Sequence, residues 1–130
     1  MQISDKFFKS YVETALWASI DEHGIPLDDL TYADAELAEK TQLAMQRDCA
    51  EFEPRALELI AAYNDDKSAS EQFSPADGHL AHDFWLTRNH HGAGFWDGDY
   101  PKPLGEQLTK LAQSFGQCDL YIGDDGKIYL

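Results

Sequence analysis

Cations are scarce in this chain. Ten Lys and Arg stand against 24 Asp and Glu, a formal charge of -14 over 130 residues. Such a surface repels nucleic acid and anionic membrane and steers cationic partners toward itself. Cysteine is as sparse: Cys49 and Cys118 are too few for a disulfide framework and read as reduced thiols among apolar neighbours. No apolar run approaches the roughly 18 residues that a membrane span needs. The first residues carry no signal-peptide pattern, because Ile3 is soon followed by Asp5, Lys6 and Lys9. These absences predict a soluble, cytoplasmic protein with neither direct nucleic-acid nor membrane contacts. Catalytic signatures are missing as well. There is no His-Glu-x-x-His, no Cys-x-x-Cys and no Gly-Lys-Ser/Thr phosphate loop, so no cofactor is expected and no residue set forces a catalytic reading.

What is present suffices for a core. Apolar residues make up 43% of the chain and include Trp17, Trp85 and Trp96, which predicts one domain spanning residues 1–130. Phe7, Phe8, Tyr11, Val12, Ala15 and Leu16 recur at helical spacing after a capping Ser4, and Gly24 with Pro26 stops that run. Its length marks this first helix as the central packing element. A second helix is expected from Thr31 or Asp34, with Glu36 and Glu39 in its first turns and an apolar stripe through Leu37, Met45, Cys49 and Phe52. Pro54 should kink or divide it, because proline lacks the N–H donor and clashes with the preceding turn. Ser74-Pro75-Ala76-Asp77 reads as a helix start, Leu104 to Phe115 as a further helix, and Gly123-Asp-Asp-Gly126 as the tight turn of a terminal hairpin. The expected class is therefore α+β, mainly α, with four or five helices and a short C-terminal β-hairpin.

Residues 82 to 98 hold the densest chemistry: histidines, glycines and tryptophans at the end of an apolar helix. His79, His82 and Asp83 share a helix face if 75–87 is helical, and with His91 they form a candidate zinc or iron site. The bland reading is capping, buried or exposed histidines. Arg88 and Asp97 are expected to pair across the loop. Gly92 and Gly94 would let the backbone approach the aromatic rings beside Trp96, so Arg88, Gly92, Gly94, Trp96 and Asp97 read as a structural loop.

The acids suggest an interface. Residues 13 to 83 carry 17 acids but only four cations, Lys40, Arg47, Arg55 and Lys67. Acids three or four apart on a helix lie about 5 to 6 Å from each other, a spacing comparable to that of DNA phosphates. Glu36 with Glu39, Asp48 with Glu51, and Glu51 with Glu58 follow such a row. An ordered row of this kind would occupy the cationic groove of a nucleic-acid-handling protein. The bland reading is a solvated face that keeps the chain soluble, although -14 exceeds the roughly 2 to 8 units that solubility requires.

The segment His82-Asp-Phe-Trp-Leu-Thr-Arg-Asn-His-His-Gly-Ala-Gly-Phe-Trp-Asp-Gly98 resembles small proteins of largely unassigned role encoded by bacteriophages and prophages. Their signature is similar to HDFWLTRN-x-HGAGFWDR, and the ending Cys118-Asp-Leu-Tyr-Ile-Gly-Asp-Asp-Gly126 extends the likeness over roughly residues 75 to 130. This chain departs at Gly98, where the signature carries arginine. The resemblance transfers no catalytic residue. It implies a phage setting, in which small acidic proteins disable host defence complexes. The leading expectation is thus a non-enzymatic phage protein that binds a basic host protein through Glu36, Glu39, Asp48, Glu51 and Glu58, as a DNA-mimicking anti-CRISPR or anti-restriction inhibitor. The alternatives are a metal- or ligand-binding protein that uses the histidine loop, and a structural accessory protein that self-associates as a homodimer.

Overall fold

The computed structural model describes residues 5–76, 78–91, 94–96 and 99–130. Among these, four α-helices precede a short antiparallel hairpin: α1 (Asp5–Ala18), α2 (Glu39–Asn64), α3 (His79–Arg88), α4 (Lys102–Gln113), β1 (Tyr121–Ile122) and β2 (Ile128–Tyr129). The fold is mainly helical, as the periodicity predicts. Ser4, the expected first cap, lies outside the described residues.

The central element is α3 rather than α1. On α3 every residue from Leu80 to Arg88 is buried except His82, whereas α1 buries one stripe through Phe7, Tyr11, Thr14 and Ala15. Phe84 of α3 lies flat against Phe52 of α2, with ring centroids 3.9 Å apart and planes 5° from parallel, and Tyr11 and Phe115 close around the same ring. Such offset and edge-on aromatic contacts stabilise beyond simple burial.

Two helices start later than the sequence predicts, each because a distant group holds the preceding residues. Leu37 pairs with Ile128 in parallel, the Ala38 N–H donates to the Ile128 carbonyl at 2.9 Å, and the Ile128 N–H donates to the Glu36 carbonyl at 2.8 Å. Residues 36–38 therefore serve as a third strand for the hairpin, and α2 begins at Glu39. Residues 30–32 form only a 3₁₀ turn capped by Asp29. Likewise the Asn64 side chain both accepts from the Phe73 N–H and donates to the Phe73 carbonyl, each at 2.8 Å. This clamp closes the turns of residues 65–71 and fixes Phe73, and α3 begins after Gly78 instead of at Ser74-Pro75.

Pro54 does not divide α2, which runs unbroken for 26 residues. Proline removes one backbone bond and leaves the carbonyl four residues earlier without its donor. Met45, Cys49 and Phe52 before it, and Ala56 and Ile60 after it, are all buried on one face, so the core holds both halves in line. The hairpin follows its turn chemistry: Tyr121 pairs with Tyr129 and Ile122 with Ile128, while Gly126 adopts φ +80° in the turn.

Candidate functional site

The five acids expected to form one row are dispersed. Glu36 precedes α2 and does not share its first turn with Glu39. At about 100° per residue, Glu39 and Glu51 point some 120° apart around α2, and only Glu51 and Glu58 share a side. Two cations interleave there. Arg55 Nη1 stands 4.0 Å from Glu51 Oε1, and the exposed Arg47 lies on the same flank. Glu36, Glu39, Glu51 and Glu58 are exposed, but α2 presents mixed charge rather than a continuous anionic ladder.

Asp48 points inward. Its side chain is 16% exposed and accepts from Arg88 Nη1 at 2.8 Å. Arg88, 4% exposed, also donates to the Tyr11 hydroxyl at 2.9 Å, the Phe115 carbonyl at 2.9 Å and the Gly116 carbonyl at 2.8 Å. One guanidinium thus ties α1, α2, α3 and the end of α4. Burial pushes the Tyr11 phenol far above its ordinary range, against the pull of the Arg88 charge, so it stays neutral. Asp97 and Gly92, the other expected members of the loop lock, lie outside the described residues.

The described part of that loop packs as a structural segment. Phe95 is buried, and its N–H donates to the buried Thr87 hydroxyl at 3.2 Å. A Cβ on Gly94 would collide with the same hydroxyl, and one on Gly105 of α4 would stand 2.6 Å from the Phe95 carbonyl oxygen. Both glycines therefore permit close approach. Trp96 is 53% exposed, and its indole nitrogen lies 3.3 Å from where a Gly94 Cβ would stand.

Three of the four expected metal ligands do converge. Asp83, 2% exposed, accepts from His82 Nδ1 at 3.0 Å, and its other oxygen stands 3.0 Å from His79 Nε2. The second carboxylate beside His79 is Asp99, at 3.6 Å, and the Trp17 ring stacks on His82. Burial raises the Asp83 carboxyl above its ordinary range, and hydrogen bonds from His82 and Tyr100 oppose that rise. His91 does not join them. A ten-residue helix is about 15 Å long, and His91 follows its far end, where its N–H donates to the Leu86 carbonyl. Both Asp83 oxygens face imidazoles, and among the described residues no group of three or more His, Cys, Asp or Glu is arranged to hold a metal ion.

The surface that sequence reasoning passed over is the connection between α1 and α2. Residues 21–39 carry seven acids, Asp21, Glu22, Asp28, Asp29, Asp34, Glu36 and Glu39, and no Lys or Arg. All but Asp21 are exposed. The segment is built, not slack. Asp21 accepts from the His23 and Ile25 N–H groups and from the Tyr32 hydroxyl, and the Leu27 N–H donates to the Ser19 carbonyl. The Tyr32 bond is the main influence holding the Asp21 carboxyl below its ordinary range. Asp29 caps the 3₁₀ turn through the Thr31 N–H and hydroxyl. On this frame Leu30 stands 89% exposed, and Trp17 and Ile20 are more than half exposed beside it in sequence. The signal was visible as a run of acids without a single cation, but it falls between helices, where helical spacing says nothing.

No protein-family model, no curated protein and no solved structure matches the chain.

Proposed function

We propose that the protein is a non-enzymatic binder of a basic protein surface, and that residues 21–39 make the contact. The single observation that carries this reading is the ordered segment of seven acids without one cation, on which an apolar Leu30 projects into solvent. Anionic groups carried on a backbone braced by its own hydrogen bonds need little reorganisation of the chain when a cationic partner arrives, and a projecting leucine gives such a partner an apolar anchor. Glu36 and Glu39 remain contact residues in this reading. Glu51, which stands 4.0 Å from Arg55, and Glu58, on the same side of that helix, contribute less, and Asp48 contributes to folding instead. The partner class is a nucleic-acid-handling protein, because the groove that accepts phosphates is the commonest large cationic surface a cell presents. In the phage setting that the 82–98 signature implies, the concrete form is an inhibitor of a host defence nuclease or surveillance complex.

The test is capture of host proteins on the immobilised chain, with elution by duplex DNA. DNA is expected to release the captured protein, and rising salt to weaken capture steeply. The combined variant Glu22→Lys, Asp28→Lys, Asp34→Lys, Glu36→Lys should abolish capture, while Glu58→Lys should leave most of it. Capture that survives DNA, salt and the combined variant alike would refute the reading.

A further inference from the structure

The solvent face of α2 carries a pattern that the acidic segment does not explain. Seven residues turn a helix through about 700°, so Leu43, Ala50 and Leu57 lie within some 40° of one another along one seam. Leu43 is 58% exposed and Leu57 49%, on a helix whose opposite face is buried against the core. No element of the described chain covers them. Two leucines held in water at this spacing form half of a helix–helix contact.

The charges beside the seam identify the other half. Lys40, Arg47, Glu51 and Glu58 all lie on the same flank, within about 40° of each other by the same rotation. The order is cation, cation, anion, anion along the helix. When two identical helices pair antiparallel about a two-fold axis, like flanks meet and the chain direction reverses. Centred near Ala50, this brings Leu43 of one copy against Leu57 of the second, Arg47 opposite the second copy's Glu51, and Lys40 opposite its Glu58. Lys40 and Arg47 then each meet an anion of the second copy, while Arg55, about 40° further round than Glu51, stays 4.0 Å from Glu51 of its own chain. In a parallel two-fold pair unlike flanks meet, so the cations of this flank would not face its anions. Within one chain these groups have only weak, exposed neighbours: Arg47 stands 3.9 Å from the inward-turned Asp48, and Arg55 4.0 Å from Glu51. Lys40 also lies over the Tyr129 ring at 5.2 Å, which leaves Arg47 with Glu51 as the cleaner pair to test.

We infer that the face of α2 through Leu43, Ala50 and Leu57 docks a second copy of this chain as an antiparallel, two-fold symmetric dimer. The contact is modest. Two helices about 39 Å long, paired along one seam with alanine at its centre, bury an area at the low end for specific complexes, so dissociation on the order of 10 µM or weaker is expected. Each chain carries -14, but at about 0.15 M salt the Debye length of about 8 Å screens the distant charges and spares pairs in contact. The inference is independent of the proposed function, since it uses a different face and a different partner.

Sedimentation velocity over a concentration series of the intact chain tests it. The mass should rise from the 14.7 kDa monomer toward twice that value. Leu57→Glu should hold the chain monomeric while its circular dichroism and thermal midpoint stay close to wild type. Arg47→Glu and Glu51→Arg should each weaken association at least fivefold, and the double exchange should restore it to within twofold. Ala50→Cys, close to the two-fold axis, should oxidise to an intermolecular disulfide, whereas Gln46→Cys, offset from its own symmetry mate by two helical turns, should not. A chain that stays monomeric throughout the series overturns the inference. So does a dimer indifferent to Leu57→Glu, or one that the double exchange fails to restore.

Discussion

Replacing Asp48 by alanine separates a folding role from a binding role at a position where the sequence suggests the latter. The variant leaves the Arg88 guanidinium, 4% exposed, without the only carboxylate that the described residues place within ion-pair distance, holding two backbone carbonyls and a neutral phenol. Removing one member of a buried ion pair costs about 3 to 5 kcal/mol, because the remaining charge is uncompensated. Asp48 itself is 16% exposed, so water reaches the pair and the lower figure, about 3 kcal/mol, applies. For 130 residues the unfolding entropy near the midpoint is roughly 0.27 kcal/mol/K, which converts that loss into a fall of about 11 °C in Tm. Urea and thermal unfolding of Asp48→Ala beside Glu51→Ala supply the measurement. Glu51 sits in an exposed pair and should change stability by no more than about 0.5 kcal/mol. Combining Asp48→Ala with Arg88→Met should give a coupling energy of about 2 kcal/mol in the cycle. Equal, small effects for the two alanine variants would refute the inward placement of Asp48 and return it to the interaction surface.

Gly105→Ala should destabilise by about 1 to 2 kcal/mol in urea unfolding. The gain of about 1 kcal/mol from alanine's helix propensity is outweighed by a Cβ placed 2.6 Å from the Phe95 carbonyl oxygen; a stabilised variant would show that the α4 contact is looser than described. Asp83 gives a pH signature. Its carboxyl is raised by burial, so ionising it costs more in the folded chain than in the unfolded one, and the stability it adds below the ordinary value of 3.8 is lost as pH rises through the raised value. The stability of the wild type relative to Asp83→Asn should therefore fall as pH rises from below 3.8 through the raised value. A difference that moves in favour of aspartate over that interval would contradict the burial argument.

The parts of the fold that follow from neighbours in sequence were legible, and the parts fixed by distant residues were not. The Gly123–Gly126 turn, the strands beside it and α4 rest on local turn chemistry and short-range periodicity, and they stand within a residue or two of their expected places. The starts of α2 and α3 were misplaced because Ile128 holds residues 36–38 and Asn64 holds Phe73, constraints that no window around either helix contains. The periodicity of α1 suggested the central helix, yet a helix buried on nearly every side, such as α3, shows little periodicity to read. At the candidate site, the proximity of His79, His82 and Asp83 was correctly inferred from spacing. The ion pair of Arg88 with Asp48 was not legible, since Asp48 lies 40 residues away and reads as one more surface acid.

That last error bears on how an acidic chain should be read. Twenty-four carboxylates are not 24 units of one surface property. Asp48 neutralises a buried guanidinium, Asp83 bonds the His82 imidazole and stands beside that of His79, and Asp21 and Asp29 terminate backbone donors in the connection between α1 and α2. Glu51 and Glu58 lie among cations of their own helix, where an antiparallel copy would complete the pairing. With these six set aside 18 acids remain, and five of them, Glu22, Asp28, Asp34, Glu36 and Glu39, follow one another without an intervening Lys or Arg around a connection braced by its own hydrogen bonds. Specific recognition of a basic partner needs charge that folding has not already used. Along α2 three cations, Lys40, Arg47 and Arg55, stand among five acids, whereas residues 21–39 carry seven acids and no Lys or Arg.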